Sequence, residues 1–191
     1  MCQLIVLREG LTRWEVERRL RGRVDVPLTP EGEAEAKGSA PAVAALTPVA
    51  IYHGPDQAGC QTADLVRGEM DVPVRELDDL AEMDLGLWQG LLAEEVKQRH
   101  PRVYRQWLEE PERVAAPEGE TVAEGKERVE KLLRVVSARH PQDTVVLVVP
   151  PLLGALLRWA LGAGELGALV RGTLEGSPWQ TYEVEPPGNG Q

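Results

Sequence analysis

Short apolar runs bounded by turn residues alternate along this chain with longer stretches in which apolar side chains recur every three or four positions. The first run, Gln3-Leu4-Ile5-Val6-Leu7, reads as a buried strand that gives way to a loop at Arg8-Glu9-Gly10. An Ala-rich helix is predicted from Pro30 to about Leu46, with Thr29 as its N-cap and Pro30 at the first helical position. Val49 to His53 reads as a second strand, followed by Gly54-Pro55 and a helix from Asp56 to about Gly68. Val72 to Leu77 is a short third strand, Glu82 to Gly90 a loop, and Leu91 to Glu110 a polar helical region. Pro117-Glu118-Gly119-Glu120-Thr121 opens a long amphipathic helix that ends near His140. Thr144 to Val149 is the strongest strand pattern in the chain. Pro150 and Pro151 then start a helix through about Leu161, and Trp179 to Glu185 forms a last strand. Strands alternating with helices imply an α/β sandwich with a mostly parallel sheet.

In open α/β sheets, ligands bind just past the carboxyl ends of the strands. Arg8-Glu9-Gly10 therefore stands where chemistry is expected, and it offers a cation beside an anion. At 191 residues with 42% hydrophobic content, the chain can bury one sizeable core. We expect a single domain over residues 1–185, with 186–191 as a flexible, Pro/Gly-rich tail.

A net charge of −10 without a long basic run argues against nucleic acid or an anionic membrane as the main partner. The segment Arg18 to Arg23 is rich in arginine, but it is short and preceded by Glu15 and Glu17. Cys2 and Cys60 have neither metal-ligand spacing nor a disulfide framework, which suits a reduced, cytoplasmic setting. No signal peptide is expected before the first strand. The apolar stretch from Thr144 to Leu157 contains two prolines and is shorter than a membrane helix requires.

Four blocks spread over most of the chain resemble the histidine phosphatase superfamily, also called phosphoglycerate mutase-like. They are Leu7-Arg8-Glu9-Gly10-Leu11-Thr12-Arg13-Trp14 running on to Gly22, Asp25 and Pro27 to Gly32; Ile51-Tyr52-His53-Gly54-Pro55 with Gln61-Thr62-Ala63; Glu82 to Gly90; and Val146 to Val149 with the following helix. Pro117 to Thr121 is similar to the family's P-x-G-E-[ST] element. The resemblance implies a three-layer sandwich and phosphoryl transfer to a histidine that follows the first strand's arginine.

At that position this chain has Glu9. The second family histidine, after the late strand, aligns with Pro151, and neither Pro150 nor Val149 restores it. The family's helix arginine aligns with Ala58, and a pocket asparagine with Glu15. Arg8 and the acid Glu82 match the motif. A glutamate brings negative charge toward a dianion and needs compensating cations. Losing one transition-state donor costs about 3–4 kcal/mol, so losing the nucleophile and two partners should abolish the family's reaction.

The expectation is a catalytically inactive relative that binds a protein partner or another copy of itself, with no cofactor, no metal and weak or absent phosphate binding. Two alternatives stand beside it. One is a phosphomonoesterase or mutase-like enzyme rebuilt on Glu9 or His53; the other is a small-ligand or cation binder in the altered pocket. The pocket set is Arg8, Glu9, Gly10, Glu15, Arg21, Gly22, His53 and Glu82, held by ion pairs between Arg8 and Glu9, Glu15 or Glu82. Trp88 and Trp107 are expected to pack, and His100 and His140 to close helices.

Overall fold

The computed structural model describes residues 1–163 and 177–187. Within them the apolar runs assemble into a five-stranded sheet in the order β3-β2-β4-β1-β5. Its strands are β1 (Cys2–Arg8), β2 (Ala50–His53), β3 (Val74–Glu76), β4 (Thr144–Val149) and β5 (Trp179–Val184). The first four are mutually parallel, and β5 joins antiparallel to β1, with Leu4 opposite Tyr182. The helices are α1 (Arg13–Val16), α2 (Pro30–Ala44), α3 (Gln57–Arg67), α4 (Ala93–Arg99), α5 (Pro101–Glu109), α6 (Val122–Arg139) and α7 (Pro151–Ala160).

Strand β4 reads Thr-Val-Val-Leu-Val-Val without a polar alternation because both of its faces are covered. Side chains of successive strand residues point to opposite faces, and the packing follows that period. Leu4, Val6, Val145, Leu147 and Val149 pack with Val129, Leu132 and Val136 of α6 and Leu153, Leu156 and Leu157 of α7. Ile5, Leu7, Val146 and Val148 pack on the other side with Ala36 and Val43 of α2 and Ala63 and Val66 of α3. A satellite core of Leu85, Trp88, Val96, Trp107, Val114 and Ala116 carries α4 and α5. Trp88 and Trp107 meet edge to face there, with ring centres 5.2 Å apart.

The helix boundaries follow local chemistry. Thr29 caps α2 by accepting from the Gly32 N–H (3.1 Å), and Pro30 fills the first helical position. Thr121 and Glu124 form a reciprocal capping box at the start of α6. His100 and His140 close α4 and α6, and His140 also meets the Tyr52 hydroxyl at 2.8 Å. Gly10 and Gly32 let two backbones touch: a side-chain carbon on Gly32 would stand 2.3 Å from the Leu11 carbonyl oxygen.

Two elements differ from the expected pattern. Helix α1 is a single turn inside what reads as loop, set by Thr12 and Glu15, which cap each other's backbone. The strand expected over Val72 to Leu77 shrinks to Val74–Glu76 because it lies at the sheet edge, where Arg75 and Glu76 face solvent. Of the expected tail, residues 188–191 lie outside the described residues.

Candidate active site

The carboxyl ends of β1, β2 and β4 converge on one buried charged cluster. Glu9 continues the backbone ladder from β1 by donating its N–H to the Val149 carbonyl (3.0 Å). Its side chain turns inward, 1% exposed, and its Oε2 accepts from Arg21 Nη2 at 2.5 Å. Arg21 reaches this point from the loop after α1 and is itself 5% exposed. Glu15 Oε1 stands 3.6 Å from Arg21 Nε, and Asp56 Oδ2 3.8 Å from Nη2, close enough to attract but too long for hydrogen bonds.

Glu82 approaches from the loop after β3. Its Oε1 accepts from the N–H groups of Met83 and Leu153, both at 2.8 Å, and its Oε2 from Leu152 at 2.9 Å. The carboxylate thus caps α7, whose N-cap Pro150 and first residue Pro151 offer no N–H of their own. Burial pushes the Glu82 carboxyl up, with Arg21 and these three N–H groups pulling the other way. Glu9 is pushed well above its ordinary range by burial; Arg21 opposes the shift and Asp56 adds to it. Burial works against the charge on Arg21, but Glu9, Glu15, Glu82 and Asp56 together hold its proton more firmly than usual.

A cleft of about 1130 Å³ opens on this cluster. Arg21, Gly22, Glu82 and Pro151 lie along it with Glu15, as do Tyr104 and Trp107 of α5. Glu9 bonds Arg21 but does not itself line the cleft. Gly10 is fixed by donating its N–H to Thr62 Oγ1 (3.0 Å), and Gly22 adopts φ +55° where it passes Gln89. Ala58 is fully buried in the first turn of α3. His53 ends β2 at 6% exposure and donates from Nδ1 to the Gly54 carbonyl (2.6 Å); it does not line the cleft. Among the described residues, no group of three or more His, Cys, Asp or Glu side chains is arranged to hold a metal ion.

The expected ion-pair network needs a correction. Arg8 takes no part in it: its Nη2 bonds Glu35 of α2 at 2.5 Å, and Arg21 holds Glu9 instead. Adjacent residues at the end of an extended strand cannot direct their side chains to one point, so Arg8 and Glu9 part company. Sequence reasoning also missed Glu35, Asp56 and Thr62. Asp56 carries a visible signal as a helix N-cap, but its approach to Arg21 depends on the packing of two distant loops.

Residues 4–169 match the family described as "Histidine phosphatase superfamily (branch 1)". The chain belongs to that superfamily. Phosphoserine phosphatase 1 of Hydrogenobacter thermophilus is 33% identical over 148 residues, covering 78% of this chain and 70% of that protein. Among solved structures of the same shape, Bacillus stearothermophilus YhfR superposes with a TM-score of 0.86 at 27% identity, covering 97% of this chain and 92% of its own. A mycobacterial glucosyl-3-phosphoglycerate phosphatase, in a structure titled as complexes with VO3, gives 0.78 at 26% identity, covering 94% and 91%.

The three-layer, mostly parallel fold expected for a histidine phosphatase relative is thereby found. The expectation of a catalytically inactive, protein-binding relative is overturned, because proteins that share this fold and up to 33% of the sequence are named as phosphatases. The alternative expectation, an enzyme of the phosphomonoesterase class, is the better supported of the two. Among the described residues no helix is long and apolar enough to cross a membrane.

Proposed function

We propose that this chain hydrolyses small phosphomonoesters with an acid-base site made of Glu9, Arg21 and Glu82, in place of phosphohistidine chemistry. The observation that carries the reading is the pair of buried carboxyls, Glu9 and Glu82, both raised from their ordinary range by burial and both acting on one arginine. Carboxyls with raised proton affinity in a cleft are suited to proton transfer near neutral pH. Relatives named as phosphatases support the reaction class.

In this reading a water oxygen attacks phosphorus while its proton passes to Glu9 Oε1, the oxygen that Arg21 does not hold. The phosphorus–oxygen ester bond breaks, and the departing alkoxide takes a proton from Glu82. Arg21 moves from Glu9 toward the phosphoryl oxygens and stabilises their charge. Glu9 stands where the family motif has its nucleophilic histidine, and Ala58 and Pro151 where it has an arginine and a second histidine. Each absent donor weakens the transition state by about 3–4 kcal/mol, so turnover should be slow beside that of a histidine enzyme. Neither His53 nor Glu9 lines the cleft itself, but Glu9 bonds Arg21, which does, whereas the His53 Nδ1 bonds the Gly54 carbonyl; the base role is therefore given to Glu9.

Release of inorganic phosphate from a panel of phosphomonoesters tests the proposal. Wild-type protein should turn over at least one of them, Glu9→Gln should lose that activity, and His53→Ala should keep it. No phosphate release from folded wild-type protein, or an undiminished rate in Glu9→Gln, would overturn it.

A further inference from the structure

Glu82 and Arg21 stand on two separate loops, and one acid outside the cleft ties those loops together. Glu120, with a side chain 10% exposed, lies just before the Thr121 cap of α6. Its Oε1 accepts from Arg128 Nε (3.0 Å), and its Oε2 from Arg128 Nη2 (2.8 Å), the Asp84 N–H (3.2 Å) and Arg23 Nη2 (3.3 Å). Its own N–H donates to the Asp84 carbonyl (2.8 Å). Arg128, held in this fork, donates from Nη1 to the carbonyls of Asp79 (2.9 Å) and Ala81 (2.6 Å). Arg23, in the loop that carries Arg21, donates from Nε to the backbone carbonyl of Glu82 (3.1 Å). The chain on both sides of Glu82 is therefore hung from Glu120 and its two arginines, and one of those arginines belongs to the Arg21 loop.

A carboxylate is the side chain this junction calls for. Its two oxygens match the arginine fork while Oε2 takes two further donors; a Gln amide, in either orientation, would turn its own N–H groups toward a donor. Both Glu82 oxygens are taken by the Met83, Leu152 and Leu153 N–H groups, so its place beside Arg21 is decided by where its backbone is held. Glu120, Arg128 and Arg23 do not line the cleft, so none of them is placed to touch a substrate. We infer that Glu120 is a positioning residue: through Arg128 and Arg23 it fixes where the Glu82 carboxyl stands relative to Arg21. Misplacing a reacting group by about 1 Å can cost about a hundredfold in rate. The catalytic part of the inference rests on the acid role proposed for Glu82; the positional part is read without any phosphomonoester.

The test compares Glu120→Gln with Val136→Ala, a core change elsewhere on α6, each studied at the same interval below its own Tm. Amide exchange at Leu152 and Leu153 reports whether Glu82 still caps α7, and it should be about tenfold faster in Glu120→Gln than in Val136→Ala. On a phosphomonoester that the wild type hydrolyses, Glu120→Gln should lower kcat by about 10–100-fold with KM changed by no more than about twofold. The alkaline limb of its kcat profile should move to lower pH, because a loosened Glu82 is wetter and loses the burial that raises its proton affinity. A purely structural role would lower Tm and leave that limb in place. Exchange no faster than in Val136→Ala overturns the positioning; so does an undiminished kcat or an unmoved limb. If the wild type releases no phosphate, the phosphatase reading fails, and exchange alone decides for or against Glu120. Should Glu120→Gln not fold, Arg23→Gln, at a side chain 45% exposed, takes its place in every measurement.

Discussion

Replacing Arg21 with methionine removes the only side chain among the described residues that hydrogen-bonds Glu9, and the size of the effect can be worked from the site. The bond is 2.5 Å long, between side chains that are 5% and 1% exposed, so solvent cannot take over when the guanidinium is gone. Removing one partner of a buried ion pair costs about 3–5 kcal/mol, because the other charge is stranded. For a chain of 191 residues this is a fall in Tm of roughly 6–20 °C. The penalty should depend on pH. Glu9 already has a folded-state proton affinity above its ordinary value of 4.5, so its contribution to stability is lost as pH rises from 4.5 through the folded value. Without Arg21 that value climbs further, and Arg21→Met should be less harmful at pH 5 than at pH 8. Urea unfolding followed by tryptophan fluorescence at both pH values measures this. A Glu9→Gln/Arg21→Met double variant should recover much of the loss at pH 8. A single variant within about 1 kcal/mol of wild type at pH 8, or a double variant no more stable than Arg21→Met, would refute the buried-pair reasoning.

Glu82→Ala strips the acceptor from the Leu152 and Leu153 N–H groups and should cost about 2–4 kcal/mol in urea unfolding, with early fraying of α7 visible by hydrogen exchange. Gly32→Ala drives a carbon to within 2.3 Å of the Leu11 carbonyl, which is backbone and cannot yield, so a loss of about 1–3 kcal/mol is expected in the same assay. Gly38→Ala, in the middle of α2 with nothing within 4 Å of the added carbon, should instead stabilise by about 0.5–1 kcal/mol. Burial, helped by Asp64, Glu76 and Asp56, raises the Cys60 thiol above its ordinary range, so this exposed cysteine should react with a disulfide reagent more slowly at pH 7.5 than free cysteine; buried Cys2 should react only after denaturation.

The case for hydrolysis and the case against the family's own mechanism come from different features. Relatedness spans the frame that carries the site, from β1 past α7. The case against phosphohistidine chemistry rests on the motif reading alone, which sets Glu9 and Pro151 at the two histidine positions. What makes the cleft worth testing as an enzyme is that Arg21 and Glu82 line it and Glu9 is bonded to Arg21 behind them. The charge around them is a net deficit of cations, and this is why phosphoryl transfer there is expected to be slow.

Much of this protein is determined by local pattern alone. The doubly buried β4, the Thr29, Asp56 and Thr121 caps, the proline-led start of α7 and the histidine helix ends are each fixed by side chains within a few positions of one another, so they are legible in one dimension. The alternation of apolar residues in β1 and β4 likewise assigns Ile5 and Val6 to opposite cores before any coordinates exist. The partners of the charged residues are a different matter. Arg8 bonds Glu35, Arg21 bonds Glu9, and Glu82 reaches across to cap α7, over separations of 27, 12 and 70 residues. Long ionic side chains have no period to read, and several acids compete for each arginine with similar attraction. Only the packing of loops on the sheet edge, where desolvation rewards some of these pairings and strands others, decides which charges meet.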